Sequence, residues 1–192
     1  MKYQWQYEHD VPEGEDPKAI PWITEDGTKL GELLYCSRNM QLKRDPDSHF
    51  WKAVTGEDLF TKMKDLAVSV FNKDSFAIQG EVCGPGIQGN KEKLTNYHFF
   101  AFNIYDITCR EYLLYDEASD IFRDFNITQV PHLGEPIQVF RQFPKLDDLL
   151  VYADGPSMNN NNREGVVFKP AYRYDLESFK VISNRFLLEF ES

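Results

Sequence analysis

Hydrophobic and polar positions alternate with a period of two at the amino end, where Tyr3, Trp5 and Tyr7 are interleaved with Lys2, Gln4, Gln6 and Glu8. That period predicts a strand. From His9 to Gly31 it dissolves into proline, glycine and acid, with Pro12, Gly14, Pro17, Pro21 and Gly27, which predicts a long loop or irregular hairpin connection. Leu33-Leu34-Tyr35-Cys36 predicts the returning strand, with Arg38 at its end. Beyond Asp45-Pro46-Asp47-Ser48 the period lengthens. A short helix is predicted over His49 to Val54 and a second from about Glu57 to Val70. In the second, Leu59, Phe60, Met63, Leu66, Ala67 and Val70 recur at steps of three and four and form one buried face.

Strands then return. Phe76 to Val82 predicts one, a Gly-Pro-Gly turn follows, and Tyr97 to Ile107 is a long aromatic strand joined through Thr108-Cys109-Arg110 to a partner over Glu111 to Tyr115. Helical patterns recur at Ala118 to Phe125 and at Leu146 to Ala153, and the Asn159 to Asn162 run predicts a mobile loop tip. Val166, Val167 and Phe168, bounded by that run and by Pro170, predict a short buried strand from Glu164 to Phe168. Alternation places Glu164 and Phe168 on one of its faces and Lys169 on the other, unless the strand twists or bulges near Gly165. Ser178 to Ile182 is the last strand, and Asn184 to Phe190 a final short helix. Many strands, few helices and no β-α-β alternation predict an α+β fold built on antiparallel sheet. No repeat or linker divides residues 1–192, so one domain is expected.

Composition narrows the picture. With 192 residues, 42% hydrophobic and 15% aromatic, the chain can bury a sizeable core without disulfides or metal. Cys36, Cys83 and Cys109 are odd in number and lack C-x-x-C spacing, which points to a reducing cytosol. No apolar run approaches the ~18 residues of a membrane span. The net charge of −10 argues against non-specific nucleic-acid binding, which depends on cations releasing counterions from phosphates. Arg38, Lys43, Arg44, Arg163, Lys169, Lys180 and Arg185 still allow a local positive cleft in an acidic body.

Several of these residues invite a chemical reading beside a structural one. Glu81 lies in an apolar strand, where an unpaired carboxylate is costly to bury, so it either reaches a cleft edge or has a partner. The glycines after it permit close approach of a ligand or serve a plain hairpin turn. Phe102 sits among Phe99, Phe100 and Tyr105, a run that usually packs as core. Arg38 reads equally as a surface residue beside a turn.

In order along the chain, five segments line up with one family's motifs: Cys36-Ser37-Arg38-Asn39, Gly80 to Asn90, Phe99 to Asp106, Glu164-Gly165-Val166-Val167-Phe168-Lys169, and Ser178 to Phe186. Together they resemble the covalent nucleotidyltransferase superfamily of RNA ligases, DNA ligases and capping enzymes, and within it the ATP-dependent RNA ligases of the nick-sealing type. The resemblance implies an antiparallel-sheet adenylation domain that joins a 5′-phosphate to a 3′-hydroxyl with ATP and magnesium or manganese. By that resemblance Arg38 contacts phosphate or polynucleotide, and Glu81 binds the ATP ribose or metal-bound water. Phe102 stacks on adenine, with Asn103 replacing the more familiar Asp as a hydrogen-bonding neighbour. Glu164 is the metal ligand, Lys180 neutralises the α-phosphate, and Lys169 supplies a second cation where many relatives have a lysine in place of Ile182.

The family's adenylate-accepting K-x-D-G is missing from the sequence. Thr24-Glu25-Asp26-Gly27 has its outline with threonine in the lysine position; the preferred reading is that Met1 falls just beyond the motif, so that the domain lacks its first strand. The expectation is a chain defective in self-adenylation, acting on RNA ends or nicked duplex, with a separate amino-terminal segment as the source of the lysine. The other readings are a non-catalytic ATP- or RNA-end-binding module and a DNA-ligase or capping-type enzyme.

Overall fold

The computed structural model describes residues 19–24, 26–72, 74–172 and 178–190. The predicted strand at Tyr3 to Tyr7 lies outside them. The first described element is a hairpin, β1 (Ile20–Ile23) against β2 (Lys29–Leu33), where the periodicity predicted loop. Ile20 and Trp22 are buried and alternate with Pro21 and Ile23, a two-residue period hidden behind proline. Proline is tolerated here because, among the described residues, the sheet has two strands and both are edges. The predicted strand at Leu33 to Cys36 is therefore displaced toward the amino end, and Cys36 keeps only an isolated bridge to Gln41.

Two helices follow, α1 (His49–Gly56) and α2 (Leu59–Ser69). Ser48 accepts a hydrogen bond from the Trp51 amide at 3.1 Å and so caps α1. Leu59 and Leu66 are buried as the helical stripe predicts, but α2 ends at Ser69 and leaves Val70 exposed.

The central sheet is β3 (Phe76–Cys83), β4 (His98–Asp106) and β5 (Glu111–Tyr112), in that order and antiparallel throughout. β5 is shorter than predicted because Glu117 accepts from the Leu114 amide at 3.0 Å and starts α3 (Tyr115–Asp124) at Tyr115. Helices α2 and α3 cover one face of this sheet. Leu59, Leu66, Ala101, Ile104, Ala118 and Phe122 form the main core there.

A second, smaller cluster of Phe143, Leu149, Ala153 and Val181 joins α5 (Leu146–Ala153) to the ribbon of β6 (Gly165–Phe168) and β7 (Phe179–Ile182). A one-turn helix α4 (Val139–Gln142), which no periodicity announced, precedes it, and α6 (Asn184–Phe190) closes the described chain. β6 is not the buried strand its apolar content predicts. Among the described residues it pairs with β7 alone in a two-stranded sheet, and Val167 is 53% exposed.

The asparagine run is tied down, contrary to its reading as a loose tip. The Asn159 amide donates to Glu92 at 3.0 Å, and Asn160 Nδ2 donates to the Lys91 carbonyl at 3.2 Å. Asn162 Nδ2 reaches Glu189 on α6. These contacts dock the loop before β6 onto the segment between β3 and β4.

Candidate active site

β4 carries an irregularity at its most informative residue. Gln79 pairs with Asn103, and Gly80 pairs with Ala101, so Phe102 is an extra residue opposite that step, a β-bulge. The bulge explains how Ala101 and Ile104, three apart, are both fully buried in the same cluster, since regular alternation would send them to opposite faces. Glycine is required at position 80. A Cβ there would lie 2.4 Å from the Phe99 ring and 2.5 Å from the Phe100 carbonyl oxygen. On the sheet face away from the core stand Gln79, Glu81 and Asn103, with Phe102 half-buried beside them.

Lys169, one residue past β6, crosses to this bulge. Its Nζ donates to the Phe102 carbonyl and to Asn103 Oδ1 at 2.6 Å, and lies 5.1 Å from the centre of the Phe102 ring. Burial pulls the Lys169 pKa down to about 8, and burial is the whole cause. No carboxylate among the described residues offsets that cost, so the two acceptors on the ammonium are neutral.

The second cluster lies at the other end of β6. The Glu164 carboxylate pairs with Lys180 Nζ, and both side chains are about half exposed. Lys180 is the cross-strand partner of Val167 and shares its face. Glu164 therefore reaches the Val167 side of the ribbon, not the Phe168 side that alternation predicts. Between Glu164 and the ribbon lies Gly165, whose backbone runs so close to β7 that a Cβ would sit 2.1 Å from the Val181 carbonyl oxygen. Alternation puts Lys169 on the same side as Val167, so the correction brings Glu164, Lys180 and Lys169 onto one face.

Around this face the supports are structural. The Arg163 guanidinium donates to the Tyr152, Ala153 and Asp154 carbonyls and closes the end of α5. The Glu164 carbonyl accepts from the Ser183 amide at 2.8 Å, and the buried Ser183 hydroxyl bonds Asp154 at 2.5 Å.

Two expected site residues stand apart. Arg38 is exposed at the tip of the turn closed by the Ser37 amide on the Met40 carbonyl at 2.9 Å, and it makes no ion pair among the described residues. Glu81 is exposed opposite Phe100 on the edge strand β3, and among the described residues it makes no hydrogen bond or ion pair with the other expected residues; its charge helps burial raise the Cys83 thiol. Thr24 and Gly27 bound the β1–β2 turn, with the Gly27 amide on the Thr24 carbonyl at 2.9 Å and Gly27 at φ +84°.

Gln79 and Tyr112 were missed by the sequence. Asn103 Nδ2 donates to Gln79 Oε1 at 3.1 Å, and Gln79 Nε2 donates to the Tyr112 hydroxyl at 3.2 Å. The two-residue step from Gln79 to Glu81 was the signal available. Among the described residues no three His, Cys, Asp or Glu side chains gather to hold a metal ion. A divalent cation at Glu164 fits a site in which phosphates and water supply most ligands.

A family model described as RNA ligase matches residues 16–182. The chain belongs to the RNA ligase family. Solved RNA ligases of Naegleria gruberi share its fold. The form with pyrophosphate is 33% identical, with a TM-score of 0.68 over 81% of this chain and 44% of that one. A lysine-to-alanine variant with ATP and manganese is 32% identical, with a TM-score of 0.70 over 81% and 45%. An arginine-to-alanine variant with ATP and manganese is 30% identical, with a TM-score of 0.69 over 92% and 49%. The chain thus spans less than half the length of the ligases it matches. No curated protein matches it in sequence. Within the RNA ligase family, the α+β antiparallel architecture expected from the chain's pattern is the observed one.

Proposed function

We propose that this chain supplies the nucleotide- and end-binding face of an ATP-dependent RNA ligase that joins a 5′-phosphate to a 3′-hydroxyl through adenylated intermediates in RNA repair in the cytosol. The single observation that carries the reading is Lys169: a desolvated cation held by neutral acceptors beside the half-buried Phe102 ring. Such a group favours an incoming phosphate anion, which would relieve the burial penalty, while the ring offers an apolar surface to a base. Lys180 adds a second cation, and Glu164 would hold magnesium or manganese, whose role is to neutralise the phosphates. Glu81 and Asn103 are assigned to the sugar and base, and exposed Arg38 to the polynucleotide.

Of the two adenyl transfers, the first breaks the α–β phosphoanhydride of ATP and releases pyrophosphate, and the second breaks the phosphoramidate bond to the lysine, which leaves as the amine while the 5′-phosphate takes the AMP. Sealing a pre-adenylated strand needs a 3′-hydroxyl oxygen to attack the 5′-phosphorus and AMP to leave. Neither partner in that step is a lysine nucleophile. The residues 1–192 contain no K-x-D-G, so enzyme adenylation is assigned to a lysine-bearing segment supplied from elsewhere. The same absence favours a second reading, a module that binds ATP or RNA ends without sealing them.

Incubation with labelled ATP and manganese is expected to give no covalent adenylyl-protein, while pre-adenylated nicked RNA duplex is sealed. A labelled band stable to denaturation would overturn the first half. ATP binding by calorimetry without any sealing selects the binding module, and no binding of either ligand overturns both readings. Faster sealing of DNA ends than RNA ends would move the assignment to the DNA ligases.

A further inference from the structure

The hydrogen bonds that lead away from Lys169 have a fixed polarity. An ammonium only donates, so Asn103 must present Oδ1 to it. The Asn103 amide nitrogen then points at Gln79, which must present Oε1. That turns Gln79 Nε2 toward Tyr112, whose hydroxyl must accept. Each link has one orientation once the first is chosen. Tyr112 lies on β5, and its ring packs edge-on against Tyr105 at 4.9 Å, which holds the outer end of the chain in place.

We infer that Gln79 is a positioning residue that, braced by Tyr112, locks the Asn103 amide with its oxygen toward Lys169 and so sets the cation that meets the nucleotide phosphates. The inference rests on the nucleotide-binding reading above for its last clause. Without the Gln79 acceptor, the Asn103 amide can turn over and present its NH2 to the ammonium, donor against donor. Lys169 would then keep one acceptor, the Phe102 carbonyl, and would swing from the bulge. Among the described residues the groups that meet the ammonium are Phe102 and Asn103 from β4, and neither is charged. The orientation of one neutral amide therefore decides how the cation is held.

A double-mutant cycle on the whole chain, read by calorimetry with ATP and manganese, separates this role from a general structural one. Gln79→Met, close in volume, is expected to weaken ATP about fivefold, the worth of one such hydrogen bond. In a Lys169→Met background the same change is expected to alter affinity by less than about twofold, because the group it acts through is gone. Gln79→Glu, which still accepts from Asn103, is expected to keep ATP binding within about twofold of the parent. Equal losses in both backgrounds, or no loss from Gln79→Met, overturn the inference. A second arm uses no nucleotide. In the ligand-free chain, NMR titration of the Lys169 side chain is expected to shift in Gln79→Met, which adds no charge, because the Asn103 oxygen is no longer held toward the ammonium. An unmoved titration overturns the positioning role. If the parent chain binds no ATP while this shift is present, the positioning stands and the ligase reading falls.

Discussion

The two halves of the proposed site are built to different standards. β3 and β4 run for eight and nine residues, pair along their length, and back onto the main core through Ala101 and Ile104, both fully buried. β6 and β7 run for four residues each, form a two-stranded ribbon, and expose Val167, Phe179 and Ile182. The first half places Phe102 and Asn103 by packing that precedes any ligand. The second carries Glu164 and Lys180 in solvent, linked to each other and supported by a small cluster with α5. A base-binding surface gains from rigidity because ordering it on binding costs affinity. A metal- and phosphate-binding ribbon can be ordered by the charges it captures. Lys169 is the strap between the halves, starting from the ribbon and ending on the bulge.

The largest expected effect that breaks the comparison is in the core. Phe122 is 2% exposed behind the central sheet, so Phe122→Ala should cost about 3–5 kcal/mol by chemical denaturation. Val181→Ala in the ribbon removes two buried carbons and should cost roughly 2 kcal/mol or less. Hydrogen exchange sharpens the contrast: amides of β3 and β4 should open only with global unfolding, and those of β6 and β7 at a lower free energy. Equal protection of both sheets would show one uniformly stable body.

How much of this could be read from residues alone also divides along the same line. Apart from the one-turn α4, the helices were legible because their apolar positions recur at three and four and because Ser48 marks a start. β3 and β4 were legible from aromatic and branched residues. The β1–β2 hairpin was not, since Pro21 and Gly27 signal loop while Ile20 and Trp22 carry the burial. The bulge at Phe102 depends on which residue of β3 faces it, and strand register is a property of the pair. The reach of Lys169 to Asn103 and the swing of Glu164 to Lys180 come from how the ribbon sits, with its close pass at Gly165. Motif order named the residues; only the tertiary arrangement distinguishes the strap from the exposed pair, and adds Gln79 and Tyr112.

A medium effect tests the strap through pH. Lys169 titrates near 8 in the folded chain against about 10.4 when unfolded. Below pH 8 both states are protonated and the penalty for burying the cation is fully present. Between about 8 and 10.4 the unfolded chain binds more protons, so stability rises with pH, and above that range the penalty is gone. Stability of the parent relative to Lys169→Met should therefore rise across this window, by roughly 1–2 kcal/mol once partial solvent screening is allowed for. Lys64, also shifted down to about 8 chiefly by burial, is present in both proteins and cancels. A difference that is flat with pH would mean that the Lys169 ammonium is well solvated and that the two halves are not strapped by a buried cation.

The smallest expected effect on stability falls at the other end of β6. Glu164 and Lys180 are 51% and 43% exposed as side chains, and pairs so solvated contribute at most about 0.5 kcal/mol. Glu164→Gln keeps the shape of the side chain and should leave the denaturation midpoint within that margin. If the carboxylate holds a divalent cation, the same substitution should lower sealing of a pre-adenylated strand by at least about tenfold at limiting manganese, with partial recovery as manganese is raised, because phosphates and water still supply ligands. A purely structural ion pair predicts the reverse pattern: a small loss of stability, no manganese dependence, and the same phenotype from Lys180→Met. The two substitutions are expected to differ, since removing the lysine frees the carboxylate for metal while removing the carboxylate frees the lysine for phosphate. Identical manganese curves for both would place the pair outside the chemistry and leave the bulge of β4 as the functional half.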